Sequence, residues 1–203
     1  VFIVSMPSVA SVASSRITHV VRRGDVVERI EALTGQQRIT FRHNNEVMTF
    51  FPDAKVVRHE QLAPGAGAFP GAGEKFKASS AQYQVIPGGR SRIAGYETYA
   101  VDFRPVDQWR FGYRIWSDIK TGLVLKLQTM AGASVIEQSE FSELTQDVSA
   151  DANALVQEMK QIPSGYKMVR AKAQSTSAAS EGWTVGALPD GFEMVTCYKR
   201  AEI

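Results

Sequence analysis

Turn-forming residues recur so closely along the first 145 residues that the chain between them is cut into short pieces. Arg23-Gly24-Asp25, Thr34-Gly35, Asn44-Asn45, Pro52-Asp53, Gly88-Gly89 and Ala131-Gly132 have the composition of short antiparallel connections. The pieces read as strands: Phe2–Met6, Ser15–Arg22, Val26–Leu33, Gln37–His43, Glu46–Phe51, Val56–Gln61, Gln82–Ile86, Thr98–Arg104, Phe111–Ser117, Leu123–Met130 and Ser134–Leu144. Strands spaced by about 8–12 residues predict a mainly β chain built as an antiparallel sheet, a sandwich or a partial barrel. No long helical period separates them, which argues against a parallel α/β fold. In Arg16–Val20 and Val27–Glu31 polar residues fall at roughly every second position, as in a sheet with one solvated face. That pattern puts Glu28 on the exposed side.

The richest segment is Arg104–Gly132. It predicts a hairpin whose arms, Trp109–Trp116 and Leu123–Met130, carry aromatic and β-branched residues around the turn Ser117–Gly122. Side-chain parity groups Phe111, Tyr113 and Ile115 on one arm and Leu123, Leu125 and Leu127 on the other. With Trp109 and Trp116 these are the candidate residues for a lipid or peptide. Arg110 and Arg114, interleaved with the rings, and the distant Trp183 are candidates for contact with a protein partner. A second reading packs the same rings in a core and leaves the arginines on the wet face. Alternation is compatible with both.

Composition narrows the function. The chain has 203 residues, 44% of them hydrophobic and 22% charged, as in ordinary globular proteins. A net charge of +2 gives no electrostatic reason to expect nucleic acid. No run reaches the ~18 apolar residues of a membrane-spanning helix, and Val1–Val4 reads as the beginning of a strand. Cys197 is the single cysteine, so it cannot form an internal disulfide. His59-Glu60-Gln61-Leu62-Ala63 lacks the second histidine of a zinc-protease helix. Gly65, Gly67, Gly71 and Gly73 are followed by Glu74 rather than by the lysine of a phosphate loop. His19, His43 and His59 lie in polar-flanked strands with no nucleophile elbow, and Asp102 and Asp107 have no helix to align them. These readings predict no catalytic residues, no metal and no cofactor.

Two stretches interrupt the strand pattern. Pro64–Gly73 is a Gly/Pro/Ala loop before a helical turn at Ala78–Gln82, and Ala171–Gly182 has the small polar composition of a linker. Asp151–Lys160 predicts a short helix capped by Asp151. The expected organisation is a large domain over 1–162, a linker over 163–182, and over 183–203 the beginning of a smaller domain, cut short.

Several of these pieces together resemble the MucB/RseB family. They are Phe2-Ile3-Val4 followed by Ser15–His19, Glu28–Gly35, Arg90–Gly95, and Tyr113-Arg114-Ile115-Trp116-Ser117-Asp118 with Thr121-Gly122-Leu123. Glu137–Ser142 follows, and then Trp183 with Leu188-Pro189-Asp190-Gly191-Phe192. The order of the pieces carries the resemblance, since each alone is common in β proteins. It implies a curved antiparallel half-barrel with a few helices on its concave side, similar to the lipoprotein carriers LolA and LolB. It also implies a periplasmic regulator of the sigma-E stress response that binds the periplasmic domain of an RseA/MucA-like transmembrane anti-sigma factor. Such a regulator shields its partner from proteolysis and releases it on sensing lipopolysaccharide or lipoprotein acyl chains. Homo-oligomers are compatible with this, and a carrier of the LolA type is the alternative.

Overall fold

A computed structural model describes residues 1–62, 81–146, 149–194 and 197–202. The Gly/Pro/Ala loop at Pro64–Gly73 and most of the turn at Ala78–Gln82 lie outside them. Eleven strands occupy the expected stretches: β1 (Phe2–Met6), β2 (Ser11–Arg22), β3 (Asp25–Ala32), β4 (Ile39–His43), β5 (Glu46–Phe51), β6 (Val56–Gln61), β7 (Tyr83–Ile93), β8 (Tyr96–Pro105), β9 (Gly112–Asp118), β10 (Val124–Ala131) and β11 (Ser134–Phe141). One α-helix, α1 (Ala152–Lys160), and two further strands, β12 (Lys167–Ser175) and β13 (Tyr198–Glu202), complete the described secondary structure apart from short 3₁₀ turns.

The strands form one open sheet in the order β13-β12-β6-β5-β4-β3-β2-β1-β11-β10-β9-β8-β7. The registered pairings are antiparallel except that of β12 with β6, which is parallel. Contacts divide the chain into two compact units. The first comprises 1–18, 30–37 and 76–150; the second comprises 19–29, 38–75 and 151–203. Within 163–182, where a linker was expected, β12 pairs Lys167–Ala171 with Val56–Glu60.

Local chemistry explains most of the first unit. Gly88-Gly89, expected as a turn, lies inside β7, where the register with β8 shifts between Pro87 and Gly89. A Cβ on Gly88 would sit 2.9 Å from that of Ala100, so only glycine permits this approach. The chain reverses later, at Ala94 (φ 47°) and Gly95 (φ 86°), the two positive dihedrals that a tight hairpin turn requires.

The second unit has a conventional apolar core. Phe41, Met48, Phe50 and Val57 from β4, β5 and β6 meet Met159 of α1, with Ile39, Tyr166 and Met168 packed around them. Phe41 and Phe50 stack edge to face with centroids 5.6 Å apart. The helix begins where Asp151 accepts the backbone N–H groups of Asn153 (2.9 Å) and Ala154 (3.3 Å), which satisfies donors a helix start otherwise leaves open. Arg29 donates to Glu158 at 3.2 Å and ties α1 to β3.

Glu28 corrects the expected wet face. It is 1% exposed. Its carboxylate receives His19 Nδ1 at 2.7 Å and Arg42 Nη1 at 3.5 Å. The other histidines also pair with acids: His59 Nε2 lies 3.0 Å from Glu46 Oε1, and His43 Nε2 lies 4.0 Å from Asp25 Oδ1. A carboxylate becomes tolerable in a sheet interior when a guanidinium and a hydrogen-bonded imidazole replace the water it loses.

Candidate functional site

The hairpin forms with its arms in a register that sorts the predicted residues by face. Ile115 on β9 lies opposite Leu127 on β10 and opposite Val101 on β8. Tyr113 lies opposite Thr129 and Phe103. Leu127 continues across β11 to Ser139, and Ser139 to Val4 of β1. Cross-strand neighbours on one face interact directly, so half-buried Val101, Ile115 and Leu127 make a continuous apolar row over three strands, and buried Ser139 of β11 separates it from Val4 of β1. Beside it Val85, Phe103 and Tyr113 make a second row. The Tyr83 and Tyr113 rings lie 6.3 Å apart at its end. Burial and the neighbouring Tyr113 push the Tyr83 hydroxyl above its ordinary pKa.

Val101 and Phe103 were not among the predicted residues. Their alternation in Ala100-Val101-Asp102-Phe103 was the available signal, but nothing in the sequence identified β8 as the neighbour of β9.

The opposite face is polar. Arg114 binds Asp102 across β8 and β9 with two nitrogens, Nη2 reaching Oδ2 at 2.6 Å. Next in that row, Gln128 Nε2 donates to Gln138 Oε1 at 2.6 Å. Lys126 Nζ pairs with Glu140 at 3.0 Å. Trp116 is on this face, with the Arg114 guanidinium 5.9 Å and the Lys126 ammonium 5.3 Å from its ring. Trp116 therefore stacks with cations while Ile115 belongs to the apolar row. Leu125 sits where the β9–β10 register shifts and is 1% exposed, which makes it a core residue.

The remaining candidates lie in loops. Between β8 and β9 Asp107 accepts the backbone N–H groups of Trp109 (2.8 Å) and Arg110 (3.0 Å) and pairs with the Arg110 guanidinium. Trp109 is 61% exposed and Phe111 50%. The Phe111 carbonyl accepts from the Tyr83 hydroxyl at 3.2 Å. Leu123 is exposed just before β10, and Trp183, 73% exposed, belongs to the second unit. The structure thus brings Tyr113, Ile115 and Leu127 onto one face. It assigns Arg110 to an ion pair in its loop, Arg114 and Trp116 to the other face, and Leu125 to the core.

Hydrogen bonds set the charge behaviour of the polar face. Arg114 holds the Asp102 carboxyl below the usual carboxylate range. Thr121, donating its hydroxyl at 2.6 Å and its backbone N–H at 3.0 Å, does the same for Asp118. A carboxylate whose folded pKa is depressed adds stability above its unfolded pKa, about 3.9 for Asp, and loses it as pH falls through the folded value. Urea unfolding of the first unit should give a midpoint that is flat from pH 7 to about 5 and falls below about 4. Asp102→Asn should flatten that acid limb; an unchanged limb would mean that the Arg114 pair does not contribute to it.

Comparison with known proteins adds to this geometry. A sequence model of the MucB/RseB N-terminal domain matches residues 1–159. The sigma-E factor regulatory protein RseB of Haemophilus influenzae is 21% identical over 188 residues, 92% of this chain and 58% of that protein. Among solved structures, MucB in the Pseudomonas aeruginosa MucA/MucB complex has a TM-score of 0.63 at 24% identity, covering 94% of this chain and 60% of that one. A crystal structure of MucB alone also has a TM-score of 0.63, at 21% identity, covering 98% and 68%. At such identities the structural likeness shows the fold. The chain spans about three fifths of the length of the RseB and complexed MucB chains it matches.

Proposed function

The chain belongs to the MucB/RseB family, and from that premise we propose that it is a periplasmic regulatory protein which binds the periplasmic segment of a transmembrane anti-sigma factor. In this reading the bound segment is shielded from proteolysis and released when the regulator takes up a lipid or lipoprotein acyl chain. The supporting observation is the half-buried apolar row Val101, Ile115 and Leu127, with Tyr113 two positions from Ile115 on the same face; Trp109 and Phe111, in the loop before β9, are exposed. Apolar side chains in a contiguous exposed or half-exposed patch offer a surface to a ligand or partner rather than to water. The relatives point the same way: RseB is named a sigma-E regulator, and MucB has been crystallised with the periplasmic part of MucA.

The test is a calorimetric titration of this chain with a peptide from the periplasmic segment of a MucA-like anti-sigma factor, with and without lipopolysaccharide. The expected result is a dissociation constant in the micromolar range or tighter, about −8 kcal/mol, weakened when lipopolysaccharide is present. Ile115→Asp combined with Leu127→Asp should remove the lipopolysaccharide effect, because two charges then interrupt the apolar row. Lipid binding with no affinity for the peptide would favour a carrier of the LolA type instead.

A further inference from the structure

On the polar face of the hairpin a cleft of about 400 Å³ opens between β8, β9 and the β10–β11 turn. Its lining includes Arg104, Arg114, Asp102, Gly112, Met130 and Tyr113, all in the first unit. We propose that this cleft is an oxyanion site that takes a phosphate group, with Arg104 and Arg114 as its two ligating side chains. The proposal is independent of the anti-sigma reading.

The argument begins with the charge count. Two guanidiniums share the cleft with one carboxylate, which leaves one positive charge. Arg114 commits Nε and Nη2 to Asp102, and its Nη1 has no hydrogen-bond partner among the described residues. The pair fixes the guanidinium plane, so that Arg114 presents a preorganised donor. Arg104 is held more loosely. Its Nη2 lies 3.9 Å from Asp102 Oδ2, beyond hydrogen-bond distance, and its side chain is 63% exposed. Asp102 thus keeps two like charges together without saturating either one. A phosphate with several acceptor oxygens can bridge them, and such charge-assisted bonds are the strong kind.

The surroundings give the oxyanion room and an apolar wall. Gly112 is buried opposite Met130. A Cβ on it would lie 3.5 Å from that of Met130 and 3.3 Å from the Phe103 carbonyl oxygen. Glycine therefore keeps the cleft open to its backbone floor. Met130 borders the cleft on the same face as Arg114, so the phosphate can arrive free or on a molecule with an apolar portion.

The test uses the whole chain and two probes. Inorganic phosphate is titrated while the amide resonances of Gly112 and Gly132 are followed. Vesicles of phosphatidic acid are compared with vesicles of phosphatidylcholine by sedimentation. The expected result is a saturable shift of both amides that weakens by about tenfold or more in Arg104→Ala. Arg104 is exposed, so the variant should fold. Arg38→Ala, an exposed arginine of the second unit, should leave the titration unchanged. Selective sedimentation with phosphatidic acid that Arg104→Ala abolishes identifies a lipid headgroup as the source; phosphate binding without sedimentation identifies a free anion. Amides that do not saturate, or an Arg104→Ala protein that binds phosphate as well as the parent, would overturn the proposal.

Discussion

Replacing Glu28 with Ala is expected to destabilise the protein by about 3–5 kcal/mol, the usual cost of removing one partner from a buried ionic cluster. The side chain is almost completely enclosed, and it stands between His19 of β2 and Arg42 of β4. Its loss leaves Arg42, itself only 12% exposed, with a charge and no carboxylate. The bond from Arg42 Nε to the Asn44 carbonyl, 2.6 Å long, keeps the guanidinium in place and prevents its escape to water. Glu28→Gln keeps the shape and one acceptor and should cost less. Equilibrium urea unfolding measures both. A loss below about 1 kcal/mol for the alanine variant would mean that water reaches the cluster and that the pairing is worth no more than one at the surface.

Leu125→Ala should be the largest single apolar loss in the first unit, about 2–5 kcal/mol. The residue lies at the register shift between β9 and β10, where the two strands cannot slide to fill a void. Leu125→Asp would place an unpaired charge in the same spot and should unfold the hairpin. The contrast with Leu127 is diagnostic: two positions away, half-buried on the apolar row, it should tolerate truncation with about half that loss or less, in line with its partial burial. Thermal or urea unfolding of Leu125→Ala and Leu127→Ala side by side decides it. Equal losses would show that Leu127 is as much a core residue as Leu125 and would withdraw it from the proposed ligand surface.

These two residues also show where the sequence was readable. The strands and most turns follow from local chemistry, because alternation and residues such as Asn44, at φ 53°, act within a few positions. A glycine pair serves a turn and a bulge equally well, so Gly88-Gly89 was misread, whereas Ala94-Gly95 carried the turn. Faces were harder. Parity placed Tyr113 with Ile115 on one face, but Leu125 fell at a bulge, and a bulge breaks the two-residue period on which parity depends. Glu28 occupied a position that reads as wet; its burial depends on Arg42, 14 residues away on another strand. Strand β12 was hidden in a stretch of linker-like composition because its pairing with β6 is tertiary, formed across more than 100 residues of chain. The Asp102–Arg114 pair gave no sequence signal at all, since its 12-residue separation says nothing until β8 and β9 are known to be neighbours.

The parallel pairing of β12 with β6 has a kinetic consequence. During synthesis β6 completes its antiparallel pairing with β5 early, but its other edge waits for a partner that begins at Lys167. Loop closure over that span is slow compared with forming a hairpin, and sheets dominated by such distant contacts fold in milliseconds to seconds. Throughout that interval Val56–Gln61 is an unprotected edge on which another chain could template. The segment carries Arg58, His59 and Glu60 among its six residues, and charges of this kind discourage edge-to-edge association. The same side chains that decorate the finished sheet thus act first as guards against aggregation, while the second unit is still half made.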